Sequence, residues 1–219
     1  MIKPELLDHC EPALARPNLA DLVRINQRFG GHAAIRYMMK QVARPIDTFS
    51  VLDVGAASGD TAKVILDNYP NATVTSLDRN ATNLAAAPHP KLLADAFALP
   101  FSSNSFDFVL CSLFLHHFTN EEVKALLRGF FLVARRALLV ADLERRWLPY
   151  AFMKMAKPIF QWNHVTVHDG LRSIRASFRV GELSALAQEA GLPEIRVKVH
   201  RPAFRITLIA SKKEPTGDS

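Results

Sequence analysis

Residues 49–60 read Phe-Ser-Val-Leu-Asp-Val-Gly-Ala-Ala-Ser-Gly-Asp (FSVLDVGAASGD), and this stretch decides the fold. Its first six residues form a short apolar run that is typical of a buried strand. A Gly-rich turn follows, and a helical pattern over 60–68 ends before Pro70. Glycines in such a turn let backbone N–H groups approach a ligand beside the N-terminus of a helix. The stretch therefore predicts a strand, a ligand-binding loop and a helix.

The alternation of strand and helix continues along the chain. Further strands are predicted at 72–77, 91–94, 106–111 and 137–141. Further helices are predicted after Asn80 and at 119–134 and 181–190. Buried strands that alternate with helices favour a parallel, doubly wound α/β sheet.

Both ends of the chain carry additions to this core. Helical spacing predicts two N-terminal helices at 19–29 and 32–43, the first capped by Asn18. Near the C-terminus, 194–200 and 203–210 alternate well enough to form an antiparallel hairpin. We therefore expect an N-terminal helical lid over 1–48 and a core over 49–142. A basic and aromatic cap over 143–180 would follow, and then a helix and hairpin over 181–219 that complete the sheet.

Length and composition limit the class of protein. The chain has 219 residues, 49% of them hydrophobic and 22% charged, which suits one globular α/β domain with additions. No apolar run is long enough to span a bilayer, and the N-terminus has no apolar signal core, so we expect a cytoplasmic protein. Two cysteines, Cys10 and Cys111, cannot build a disulfide framework or a four-ligand zinc site, and we expect no metal.

The net charge of +6 is concentrated in one segment. Residues 143–179 carry seven basic and two acidic residues, a balance of +5, so the rest of the chain is close to neutral. Within it, 146–162 (RWLPYAFMKMAKPIFQW) combines aromatic residues and methionines with basic residues. Such a stretch predicts an apolar lid over the site, and its charges suit an anionic acceptor or a membrane surface. A buried helix whose lysines reach out to water is the alternative.

The Gly-rich loop does not fit a nicotinamide-binding motif. Counted from Gly55, the second and third glycines of G-x-G-x-x-G would be Ala57 and Asp60. The loop instead resembles the first motif of class I S-adenosylmethionine (SAM) dependent methyltransferases, which reads roughly D-x-G-x-G-x-G. Asp53, Gly55 and Gly59 match, while Ala57 stands where the family usually has its middle glycine. The resemblance implies a Rossmann-like, mostly parallel seven-stranded sheet and SAM as cofactor, with S-adenosylhomocysteine (SAH) as product.

The same resemblance assigns the other cofactor-binding residues. Asp78, at the end of the second strand beside Arg79, matches the acid that takes both ribose hydroxyls. Asp95 and Ala96 follow the third strand, and the stretch LADAFALPFSSNSFDFVLCSLFLHHF begins at the family's adenine-contacting acid. Cys111 to Leu113 would line the floor of the cofactor site. Each acid also has an ordinary structural explanation as a turn or helix cap.

Four histidines are candidates for a general base. Methyl transfer is a direct displacement that depends mainly on positioning, and a base is needed only for an acceptor that carries a proton. His116 and His117 follow the fourth strand at the mouth of the site. His168 lies in the basic segment beside Asp169, and His164 precedes it. Each could equally serve a structural role.

The sequence also narrows the acceptor. Neither cysteine has the Pro-Cys context of a pyrimidine C5 enzyme, and Cys111-Ser112-Leu113-Phe114 replaces the motif of adenine amino-methylating enzymes. We therefore expect methyl transfer to oxygen or carbon of a small, apolar acceptor of the phenolic or quinone type rather than to a nucleic acid. An RNA or protein methyltransferase that uses 143–179 is one alternative. A SAM-binding partner protein without turnover is another. The oligomeric state stays open.

Overall fold

A seven-stranded sheet forms the centre of the protein, as predicted. The computed structural model describes residues 12–160 and 164–212. The strands are β1 (Phe49–Val54), β2 (Ala72–Asp78), β3 (Lys91–Leu93), β4 (Phe106–Ser112), β5 (Ala134–Leu143), β6 (Ile195–His200) and β7 (Arg205–Ser211). Their order is β3-β2-β1-β4-β5-β7-β6. Strands β1 to β5 are parallel, and β7 runs antiparallel to both β5 and β6. The fold is the Rossmann-like α/β sheet with a C-terminal hairpin.

Helices cover both faces of this sheet. They are α1 (Pro12–Arg28), α2 (Gly31–Val42), α3 (Asp60–Asn68), α4 (Ala81–Leu84), α5 (Asn120–Val133), α6 (Trp147–Phe160), α7 (His164–Ala176) and α8 (Val180–Glu189), with a 3-10 helix at Leu115–His117. Side chains of β1 alternate between the two faces, as a strand requires. Leu52 and Val54 pack in the cluster of α5 and α8, while Phe49 and Val51 pack with α2 and α3.

The first helix is longer than its sequence pattern predicts. Helix α1 begins at Pro12, so Asn18 lies inside it and the predicted cap at Asn18 is wrong. Pro12 suits a first helical position, where its missing N–H would have no partner. Pro17 also lies within α1, near its N-terminal end.

The basic and aromatic segment forms two helices, α6 and α7. Helix α7 packs against α1 and against the 3-10 helix that carries His116 and His117. The Thr166 hydroxyl donates a hydrogen bond to Asp21 Oδ2 of α1 at 3.0 Å. An apolar cluster joins the same helices, with Val167 at its centre and Ile25, Phe29, Met153 and Leu171 around it. The two segments that we expected to cover the site thus contact each other and one of its edges.

Helix length also bears on the membrane. Within 12–160 and 164–212, no helix combines the length and apolarity that a bilayer span requires.

Candidate active site

The Gly-rich loop follows β1 and is held against the end of β2. The N–H groups of Gly55 and Ala56 both donate to the Leu77 carbonyl, at 2.9 and 3.0 Å. Gly55 and Gly59 have φ angles of 72° and 71°, in the left-handed region that glycine adopts without strain. Ala57 has a φ of 45°, so it also adopts a left-handed conformation despite its side chain.

Two of these positions are closed to larger side chains. A Cβ atom at Gly55 would lie 2.3 Å from the Phe114 ring, and one at Gly59 would lie 2.5 Å from Pro88. Both distances are far below van der Waals contact, so the sequence needs glycine at these two positions for space as well as for φ. The loop therefore forms a tightly packed cradle at the carboxyl end of β1.

Asp78 links this loop to β2. Its Oδ2 accepts a hydrogen bond from the Ala57 N–H at 2.9 Å, and its Oδ1 accepts one from the Asn80 N–H at 2.8 Å. Each carboxylate oxygen has two lone pairs, so Asp78 can still accept two ribose hydroxyls. The predicted ribose acid thus lies beside the predicted loop, and Arg79 is exposed next to it.

Asp53 is buried at the end of β1. Its Oδ2 has no hydrogen-bond partner among the residues that the structure describes. Burial, with the charges of Asp78 and Asp60, raises the pKa of Asp53 from 3.8 to about 8. A buried carboxyl with an unused oxygen suits a ligand that brings hydrogen-bond donors or a positive charge to this edge.

The remaining predicted cofactor residues lie at neighbouring strand ends. Leu93 of β3 is in register with Asp78 of β2, and Asp95 and Ala96 follow it closely. Asp95 is exposed and accepts the Phe97 N–H at 2.9 Å, so its turn is preformed. Cys111 of β4 is in register with Val54 and is buried. Burial, with the charges of Asp142 and Asp53, raises the pKa of the Cys111 thiol, which keeps it protonated.

His116 forms a buried pair with Asp142. The His116 Nδ1 lies 2.6 Å from Asp142 Oδ1, and the His116 backbone N–H donates to Asp142 Oδ2 at 3.3 Å. Burial by itself would raise the pKa of Asp142, but the charge and hydrogen bond of His116 outweigh it, together with the Leu143 N–H, and the pKa is lowered. Asp142 is therefore ionised and fixes the orientation of the His116 ring.

Two of the other candidate histidines differ from His116. Burial and the neighbouring His116 lower the pKa of His117 to about 3, so its ring is neutral and a weak base. The rings of His116 and His117 lie against each other with centroids 4.2 Å apart. His168 is exposed on α7, and its Nδ1 lies 3.0 Å from Asp169 Oδ1, so these adjacent side chains do meet.

Asp142 is a residue of the site that was not predicted from the sequence. The pair joins the ends of β4 and β5, which are neighbours in the sheet but 26 residues apart along the chain. An acid at the end of a strand that lies beside β4 was the available signal.

Contacts of α1 and α2 with α3 and β7 were also not predicted from the sequence. His32 Nε2 lies 2.8 Å from Asp60 Oδ2 at the start of α3. Buried Arg205 of β7 donates to the Phe29 carbonyl at 3.2 Å and to Asn26 Oδ1 at 3.3 Å. Burial lowers the pKa of Arg205 to about 10, and the charge of Asp142 opposes that change. These contacts hold the N-terminal helices at the carboxyl edge of the sheet.

A Gly-rich loop after β1, an acid at the end of β2 and a doubly wound sheet define an α/β protein that binds a nucleoside-containing ligand. Comparison with known proteins specifies which kind. Residues 52–137 match a family model described as "Methyltransferase domain". A tRNA (carboxymethyluridine(34)-5-O)-methyltransferase of Schizosaccharomyces pombe is 26% identical over 167 residues, which are 64% of this chain and 72% of that protein.

Solved structures of methyltransferases have the same fold. A SAM-dependent methyltransferase from Aquifex aeolicus superposes with a TM-score of 0.58 at 16% identity, over 81% of this chain and 88% of that one. The SAH complex of magnesium protoporphyrin IX methyltransferase from Synechocystis has a TM-score of 0.59 at 15% identity, over 87% and 85%.

The matched methyltransferase domain and the shared fold support a class I SAM-dependent methyltransferase. The protein is an enzyme with SAM as its cofactor, which sets aside the alternative of a SAM-binding partner without turnover. The residues at the site fit that cofactor, because the unused oxygen of Asp53 and the carboxylate of Asp78 are acceptors for its ammonium and hydroxyl donors. When bound, SAM supplies a methyl group on a positively charged sulfur.

Proposed function

We propose that the enzyme methylates oxygen or carbon of a small, apolar acceptor of the phenolic or quinone type. The observation that carries this proposal is the buried pair of His116 and Asp142 at the carboxyl edge of the sheet. A histidine that is oriented by a buried carboxylate can take a proton from a hydroxyl, so the pair favours a hydroxyl acceptor. The helices α1, α6 and α7 bring apolar side chains to the edge of the site beside the 3-10 helix, which suits an apolar acceptor.

The roles of the residues follow from their positions. In the neutral form of His116 that acts as a base, Asp142 accepts the Nδ1 proton and the lone pair of the ring lies on Nε2. In the proposed reaction the acceptor hydroxyl would give its proton to Nε2, and bound SAM would supply the methyl group to the acceptor oxygen and leave as SAH. Each hydroxyl loses one bond to hydrogen and gains one to carbon, and the imidazolium that forms is stabilised by Asp142. His117 stays neutral beside it and adds no competing charge.

The proposal is tested with the variant His116→Asn and a panel of phenols and quinols. We expect turnover to fall roughly a hundredfold or more at saturating SAM, because the base is lost while the cofactor loop is untouched. The matched control is His200→Asn, since His200 lies on β6 with Thr207 as its partner. Unchanged turnover in His116→Asn would overturn the role of this pair, and absence of methyl uptake by every phenol and quinol would overturn the acceptor class.

A second candidate acceptor is RNA. The relative from S. pombe is a tRNA methyltransferase, and 143–179 carries an excess of five positive charges. RNA binding releases counterions, so affinity would fall steeply as salt rises, while turnover of a neutral phenol would hardly change. Assays of methyl transfer to bulk tRNA and to phenols over a salt series separate the two candidates.

A further inference from the structure

Helix α6 has apolar residues on the side that faces away from the protein. Trp147 and Met155 are 72% and 76% exposed, and Leu148 and Phe152 are 47% and 46% exposed. A helix on the surface of a globular protein normally places polar residues on its outer side. Contiguous exposed apolar residues of this size indicate an interaction surface.

Helix geometry places Trp147, Leu148 and Met155 away from the packed side of α6, whereas the Phe152 ring contacts the Phe29 ring of α1 with centroids 5.3 Å apart. Met153 faces the protein, because it packs in the cluster around Val167, and a Cβ at Gly170 of α7 would meet its sulfur. Met155 and Leu148 lie about half a turn around the helix from Met153, at roughly 100° per residue. The packed side and the outer side of α6 are therefore both apolar. We call Trp147, Leu148 and Met155 the outer face.

The charges near the outer face are mostly positive, although Arg146 pairs with Glu144 and Arg145 pairs with Glu182. Both acidic residues of 143–179, Glu144 and Asp169, are buried. Arg146, just before Trp147, and Lys154, two turns after it, are exposed. Arg175 in the last turn of α7 and Arg179 at the N-cap of α8 are also exposed. The solvent-facing charge of this segment is therefore positive. An apolar strip flanked by cations is the pattern of a helix that lies in an anionic lipid interface.

We propose that the outer face of α6 docks the enzyme on the surface of an anionic lipid bilayer. The 14 residues of α6 extend about 21 Å, which is shorter than the hydrocarbon core, so the helix lies in the interface with Trp147 and Met155 inserted. A second copy of the chain is a less favourable partner for the outer face than a bilayer, because a symmetric contact would bring like cations together.

This docking would place α7 and the site at the membrane. Helix α6 packs on α7, and α7 packs on the 3-10 helix of His116. An apolar acceptor dissolved in the bilayer would then reach the site through the cap. The docking itself does not depend on the proposed acceptor, because it follows from the outer face alone.

The test is sedimentation of the full chain with vesicles. One set contains phosphatidylcholine alone, and the other contains equal parts of phosphatidylcholine and phosphatidylglycerol. We expect binding to the anionic vesicles, with a blue shift of tryptophan emission that is smaller in Trp147→Phe. Met155→Glu should reduce the vesicle partition roughly tenfold, and Lys154→Glu should reduce it on anionic vesicles by a comparable factor.

The matched control is Ile46→Glu. Ile46 is 73% exposed, a fraction similar to the 76% of Met155. It precedes β1, at the edge of the sheet opposite to the site. Its variant should partition like the wild type. Equal sedimentation of Met155→Glu and wild type would overturn the proposal, and so would a concentration-dependent doubling of mass with no vesicle binding. SAH affinity, measured on each sample, shows that a negative result does not come from an unfolded enzyme or a lost cofactor site.

Discussion

Asp78 is the side chain on which the cofactor site depends most at the residue scale. Its carboxylate ties the loop after β1 to the turn after β2, through Ala57 and Asn80. We expect Asp78→Ala to weaken SAH binding roughly tenfold to a hundredfold, because hydrogen bonds to a charged group are each worth about 1.5–3 kcal/mol. Calorimetric titration measures the change. Asp67→Ala, at an exposed position of α3, is the control, and equal affinities of the two variants would contradict the ribose assignment.

Asp53 gives the enzyme a pH dependence that can be measured without cofactor. The pKa of the folded carboxyl is raised from 3.8 to about 8, chiefly by burial. Between these values the folded state keeps a proton that the unfolded state has lost, so stability falls as pH rises. We expect the melting temperature to fall from about pH 5 to pH 8 in the wild type and to fall less in Asp53→Asn. Parallel pH profiles of the two proteins would show that Asp53 does not carry this effect.

Local and non-local residues of the site differed in how well sequence could predict them. Asp53, Gly55 and Gly59 lie in one continuous motif, so their proximity follows from a single turn. His116 was predicted as a base candidate, but its partner Asp142 was not, because their contact depends on the register between β4 and β5. Sequence places each residue at a strand end and does not show which of these ends meet.

The loop after β1 is the first feature at the scale of elements. We expect Gly55→Ala to abolish detectable SAH binding and to lower stability by about 1–3 kcal/mol, because it combines a positive φ with a clash against Phe114. Gly129→Ala is the control. Gly129 lies in α5 with no atom near a built Cβ, so alanine should stabilise the helix by about 0.5–1 kcal/mol. Urea denaturation checks both stability values. Wild-type stability and SAH binding in Gly55→Ala would show that the cradle is not rigid.

The elements of the core were predicted more accurately than those around it. Strand β1 and helix α3 follow directly from their apolar runs and from Gly55 and Gly59. Helix α1 starts seven residues earlier than predicted, because Asn18 is a favourable cap residue by type but lies inside the helix. The segment of α6 and α7 was predicted as a basic and aromatic cap, with a buried helix as the alternative, since apolar residues on all sides of α6 hide its packed face.

Charge distribution is the feature of the whole molecule that separates the acceptor classes. Most of the net charge of +6 lies in 143–179, while the loop after β1 and the ends of β2 and β3 are acidic. We expect turnover of a neutral phenol to change less than about twofold between low and moderate salt, because no counterions are released on its binding. Steady-state kinetics over a salt series checks this. A steep fall in turnover as the salt concentration rises would favour an anionic polymer as acceptor.

The central conclusion is that the enzyme binds SAM, and a calorimetric titration with its product SAH tests this conclusion. SAH and NADH are titrated separately into the full chain, with Asp78→Ala alongside. We expect micromolar binding of SAH, a clear loss in Asp78→Ala and no heat from NADH, because the loop after β1 lacks the dinucleotide glycines at Ala57 and Asp60. Binding of NADH without SAH, or SAH binding that is indifferent to Asp78→Ala, would contradict this expectation.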